Sequence, residues 1–151
     1  MQKFDLKAMN TVQKGYYGES LAKLKFRQYG FEVFNTGFNN KTLGFRVKRN
    51  NSYYDIKVRT RIGGGYIYFP KKITPLRDNL FAMYVLINQN KDPDFYLIPS
   101  IEWENPNTIF KSYDYKAEGL QSNPEWGINM SGKNLLRMEK YRFEKAVLNM
   151  V

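Results

Sequence analysis

Two alternating segments joined by a pair of asparagines, LGFRVKR and SYYDIKVRTR, constrain the fold of this chain more than any other stretch. In both, apolar and polar residues take turns, the period of a strand with one face on a core and the other toward solvent. Asn50 and Asn51 between them tolerate the left-handed backbone that a two-residue hairpin loop requires. Pairing Arg49 with Ser52 fixes a register in which Arg46 faces Asp55, Phe45 faces Ile56 and Gly44 faces Lys57. One face of the hairpin then carries Gly44, Arg46, Lys48, Tyr53, Asp55, Lys57 and Arg59, and the other Phe45, Val47, Tyr54, Ile56 and Val58.

The rest of the chain supplies what such a hairpin packs against. The spacing predicts a helix over 11–29, with Tyr17, Leu21 and Leu24 on one apolar stripe and Ala22, Phe26 and Tyr29 on a second, closed by Gly30. FEVFNT reads as a short strand and GFNNKT as a turn. Gly63, Gly64 and Gly65 break the alternation and precede a strand, YIYF; a phosphate-cradling loop would instead open a helix. PKKITPLRDN is a loop. LFAMYVLIN is apolar throughout, the pattern of a central strand covered on both faces, with FYLIPS as its neighbour. SIEWEN forms a single turn and residues 105–130 read as irregular. From Ser131 a helix places Leu135, Leu136, Phe143, Ala146, Val147 and Met150 on one side, with Glu139 as a surface acid. This order predicts one α+β domain over residues 1–151, sandwich-like, with a single mixed sheet flanked by helices.

Composition narrows the chemistry. With no Cys and no His among 151 residues, disulfides, zinc-thiolate sites, thiol nucleophiles and imidazole bases are excluded. Carboxylate, Lys, Tyr or Ser chemistry remains, with an oxygen-liganded ion such as Mg²⁺ as the natural cofactor of a hydrolytic site. The formal charge of +10 is concentrated: from Val33 to Arg77 there are ten Lys and Arg against Asp55 alone, a net of +9. A positive field interleaved with Tyr and Phe suits a polyanion with stackable bases, so nucleic acid is the expected partner. Arg46, Lys48, Arg59, Arg61, Lys71 and Lys72 are the candidate contacts to it. No apolar run is long enough to span a bilayer, and MQKFDLKAMN lacks the apolar core of a secretory signal, which predicts a cytoplasmic protein without a membrane partner.

An acid and a Lys one pleat apart on a strand are the elements of a metal-dependent phosphodiesterase. The carboxylate anchors the ion, and the Lys steers water and offsets phosphate charge. Here the sequence resembles the PD-(D/E)XK nuclease superfamily, with its restriction-endonuclease-like core, over about residues 11–100. GYYGESLAKLKFRQYGFEVF is similar to the family's first helix and YYDIKVRT to its second motif. The resemblance implies Glu19, Asp55 and Lys57 as catalytic residues, with Glu19 and Asp55 as ligands of Mg²⁺ or Mn²⁺. A second matching, one pleat on, sets Lys57 at the acid position and Arg59 at the Lys position. In both, Gly44 stands where the family brings its key Asp from the partner strand, and Arg46 offers Asp55 a cross-strand ion pair instead.

Three functions follow as expectations. The first is a nuclease-like domain that binds nucleic acid, with DNA as the expected polymer, and has lost or weakened its cleavage. The second is an active endonuclease of the same fold. The third is a non-enzymatic module whose basic face meets an acidic protein. Monomer and homodimer both stay open.

Overall fold

The computed structural model describes residues 8–35, 44–115 and 122–150. Among them the chain runs α1 (Thr11–Gln28), β1 (Glu32–Phe34), β2 (Gly44–Arg49), β3 (Ser52–Ile62), β4 (Tyr66–Pro70), β5 (Leu80–Ile87), β6 (Asp94–Pro99), β7 (Phe110–Tyr113), β8 (Glu125–Asn129), α2 (Asn134–Arg137) and α3 (Phe143–Ala146). The fold is α+β. A five-stranded mixed sheet has the order β1-β2-β3-β5-β6, with β3 and β5 parallel and the other neighbours antiparallel. The turn expected at GFNNKT lies outside the described residues.

The β2–β3 hairpin has the register that its sequence predicts, including Arg49 opposite Ser52 and Arg46 opposite Asp55. Asn50 takes the left-handed conformation at φ 52°. All eight residues of β5 are buried, as an uninterrupted apolar strand requires. Phe81, Met83, Val85 and Ile87 enter one core with Phe45, Val47, Ile56 and Val58, while Ala82, Tyr84 and Leu86 enter a second core on the opposite face.

Helix α1 covers the first of these cores. Asn10 and Gln13 close its N-terminus reciprocally, and Gly30 follows its end at φ 87°. Its buried face is Gly15, Gly18, Ala22 and Phe26. Gly18 lets the helix sit so close to β3 that a methyl group there would overlap the Thr60 side chain. That seating turns the expected Tyr17–Leu21–Leu24 stripe sideways: Tyr17 and Leu21 pack at the margin, and Leu24 is 51% exposed. Phe26 meets Phe31, Phe45 and Phe143 edge to face at 5.2, 5.8 and 5.0 Å. Each such pair adds about 0.5–1.5 kcal/mol to area burial.

Two expectations are corrected. Residues 105–130 are not irregular throughout: β7 and β8 pair with β4 in a three-stranded antiparallel sheet, order β4-β8-β7, whose inner side fills the second core. A second sheet thus stands beside the single one expected. The C-terminal segment is also not one helix. It breaks at Arg142, whose backbone is extended and bridges Tyr96 of β6. Before the break Met138 and Tyr141 enter the second core; after it Phe143, Ala146, Val147 and Met150 enter the first. One straight helix cannot reach both faces of a sheet, so the chain bends around the β6 edge, and Leu136 is left 79% exposed. Arg142 holds the bend through Asp94 at 3.0 Å and Glu139 at 2.8 Å. Among the described residues no helix is long and apolar enough to cross a membrane.

Candidate functional site

Strand alternation decides which side chains share a face. Because Ile56 and Val58 point to the α1 side, Asp55, Lys57, Arg59 and Arg61 point to the other, the side of the three-stranded sheet. At the start of β3 that second sheet no longer covers the face, and a cleft of about 240 Å³ opens there. Its polar lining is Gly44 and Arg46 from β2, Asp55 and Lys57 from β3, and Arg77 from the loop before β5.

Asp55 is held from both sides. Arg46 Nε donates to Oδ1 at 2.8 Å, the cross-strand pair expected from the register, and Arg77 Nη2 donates to Oδ2 at 2.5 Å. Arg77 is itself fixed: its Nε donates to Asn79 Oδ1 at 2.9 Å, and the buried Ser100 hydroxyl joins its backbone N–H and carbonyl at 3.1 and 2.8 Å. Burial alone would raise the Asp55 carboxyl, but the hydrogen bonds and charges of Arg46 and Arg77 outweigh it and hold the group below its ordinary value. Lys57 is displaced in the opposite sense for its type. Burial, helped by the charges of Arg59 and Arg77, lowers its ammonium below its ordinary value, with Asp55 acting against that shift. Among the described residues two paired guanidinium groups and the Lys57 ammonium share the cleft with one carboxylate, a local net of +2.

Glu19 is not part of this cleft. It lies on α1, on the opposite side of the five-stranded sheet, where it pairs with Lys23 at 3.7 Å. Asp55 and Lys57 are brought together and Glu19 is not. With both Asp55 oxygens taken by guanidinium groups and Gly44 opposite Lys57, the cleft does not fit Mg²⁺ or Mn²⁺. Among the described residues no group of three acidic side chains is placed to hold a metal.

The other candidate contacts divide by use. Arg59 lies between the sheets, donating through Nε to the Tyr68 carbonyl at 2.9 Å with its guanidinium 4.6 Å from the Phe69 ring centre. Arg61 donates to the Tyr66 carbonyl at 3.0 Å. Both therefore serve carbonyls of the edge strand β4. Lys71 bonds Ser112 Oγ and Asp114 Oδ1, each at 2.6 Å, and covers the Trp126 ring. Lys48 and Arg46 lie 5.3 and 5.9 Å from the ring centre of Tyr53, which is 46% exposed, and Lys72 is exposed. Arg77 was absent from the sequence-derived candidates because it sits in a loop; its one signal is that RDN directly precedes the buried strand β5. The sequence matches no protein-family model, and no relative is found among curated proteins.

Proposed function

We propose that this protein binds nucleic acid, with DNA as the expected polymer, through the Asp55–Lys57–Arg77 cleft, as a degenerate relative of the PD-(D/E)XK nucleases that does not cleave through a metal ion. The observation that carries this reading is the pairing of Arg46 and Arg77 with a single carboxylate in an open cleft that Lys57 also lines. A nuclease needs its strand carboxylate free to bind a cation. Here two guanidinium groups fill that role, and the surplus positive charge is suited to a phosphate diester. Lys57 and Arg77 are the phosphate contacts, with Arg46 at the rim; Asp55 offsets part of their charge and does no chemistry.

The test is fluorescence anisotropy of labelled DNA, single- and double-stranded, at low and moderate salt, with Lys57→Ala and Arg77→Ala beside the wild type. Binding that weakens steeply with salt is expected, with each substitution reducing the salt slope by about 1. Absence of affinity at low salt overturns the reading, and capture of an acidic protein in its place would favour an interaction module. Plasmid cleavage with Mn²⁺ that disappears in Lys57→Ala would instead restore a metal-dependent nuclease.

A further inference from the structure

The outward face of the three-stranded sheet carries an aromatic array that the cleft does not explain. Ile67, Phe69, Phe110 and Ile128 point into the second core, so Tyr66 and Tyr68 of β4, Gly127 of β8, and Lys111 and Tyr113 of β7 point away from it. The rings run on across the sheet. Tyr66 and Tyr68 are 6.5 Å apart with planes at 22°, Tyr66 and Tyr113 are 6.3 Å apart, and Tyr115 stacks on Tyr113 at 5.7 Å and 25°.

Three details mark this face as built and not incidental. A methyl group on Gly127 would overlap the Tyr66 hydroxyl and ring, so the middle strand is bare where Tyr66 lies across it. Tyr115 adopts φ 50°, which a bulky residue rarely takes and which costs on the order of 1–3 kcal/mol. The Tyr66 hydroxyl donates to Glu125, the one carboxylate at this face among the described residues, which is therefore already engaged. Tyr68 and Tyr113 nevertheless remain 50% and 40% exposed.

Resting on the nucleic-acid reading of the cleft, we propose that Tyr68 and Tyr113 stack unpaired bases, so that the ligand is single-stranded nucleic acid. Flat aromatic faces beside a cation take up nucleobases without regard to sequence, and a duplex keeps its base faces buried in the stack. Lys111 supplies the cation, opposite Gly127 in the register. The cleft strand β3 is linked to the edge strand β4 that carries Tyr68. Lys57 and Arg59 are one pleat apart on β3, about 7 Å, and Arg59 bonds the carbonyl of Tyr68. On this proposal one strand holds its phosphates at Lys57 and Arg77 and turns over the β4 edge to reach the tyrosines, which point away from the second core.

The test compares an oligothymidine, an abasic strand of the same length and a duplex of the same length. Wild type is expected to prefer the oligothymidine over the abasic strand, which has the phosphates without the bases. In the double variant Tyr68→Ala, Tyr113→Ala, oligothymidine binding falls about a hundredfold, about tenfold for each ring lost. Abasic and duplex binding through the cleft stay within about twofold, which also shows that the variant is folded. Tyr68→Phe with Tyr113→Phe keeps the rings and retains oligothymidine binding. Equal affinity of wild type for oligothymidine and abasic strand, or an unchanged oligothymidine affinity in the alanine variant, overturns base stacking while leaving the cleft reading in place. Binding of no probe overturns both.

Discussion

Arg77 Nη2 and Asp55 Oδ2 lie 2.5 Å apart although 22 residues separate them, and the contact follows from one pairing. Strand β5 runs parallel to β3 with Leu80 beside Asp55, so the residues just before Leu80 must pass over the start of β3. Asn79 there receives the Asp55 backbone N–H at 2.8 Å and holds the Arg77 guanidinium at 2.9 Å. The loop thus places a second cation on Asp55, beside Arg46 from the hairpin.

Replacing that carboxylate separates phosphate binding from metal catalysis. Asp55→Asn removes the one negative charge among the described residues of the cleft and raises their net from +2 to +3. DNA affinity is expected to increase, with a steeper salt dependence, as measured by anisotropy titrations. A site that relied on Asp55 to hold an ion would lose function with the same substitution, so reduced binding by Asp55→Asn argues against a phosphate cleft.

Acid should release the same interaction. The folded-state carboxyl of Asp55 lies below its ordinary value, so below that value the unfolded chain binds the proton more readily than the folded one. The stabilisation from Asp55 is therefore present above about pH 4, near the usual Asp value, and is lost as pH falls through the folded-state value. Urea midpoints of wild type and Asp55→Asn, compared from neutral pH downward, should converge below about pH 4. A constant difference across that range would mean that the ion pairs do not contribute.

Asp55 and Arg46 were legible in the sequence because a tight turn fixes hairpin register locally: once Asn50 and Asn51 form the loop, the pair follows. Arg77 was not, since no turn sets the register of parallel strands and β3 and β5 are joined through a strand of another sheet. Strands β7 and β8 are four and five residues long, and their inward positions include Ser112 as well as Phe110, too little alternation to stand out. At the C-terminus the apolar spacing fits one stripe, whereas its residues serve two cores. Arg59 and Arg61 looked like phosphate contacts by charge alone; only the position of β4 gives them carbonyls to cap.

That difference in use gives a prediction about stability. Arg59→Ala leaves the Tyr68 carbonyl without its donor between the sheets and removes a cation from the Phe69 ring. Losing a charge-assisted hydrogen bond of this kind costs about 1.5–3 kcal/mol. Arg77→Ala removes a half-exposed ion pair and should cost about 1 kcal/mol or less. Chemical denaturation should therefore rank Arg59→Ala as the more destabilised, and anisotropy should rank Arg77→Ala as the weaker DNA binder at salt and temperature where both are folded. The reverse ranking in either measurement would assign the two arginines the wrong roles.

The seat of α1 makes the most local prediction. Gly18 faces Thr60 so closely that even a methyl group has no room, and what it would meet is a β-branched side chain on a central strand, which cannot swing away. Alanine is the better helix former by about 1 kcal/mol, so Gly18→Ala would stabilise the helix if the position were open. Here overlap dominates: the helix must lift from β3, loosening Ala22 and Phe26 against the first core, at a cost of about 1–3 kcal/mol. The compensating change Thr60→Ser removes one of the three overlapping atoms, and Thr60→Gly removes all of them. Gly18→Ala should therefore lower the melting temperature in the wild-type background and lower it less when combined with Thr60→Gly, relative to Thr60→Gly alone. Additive effects of the two substitutions would place the cost of Gly18→Ala elsewhere than in its contact with Thr60.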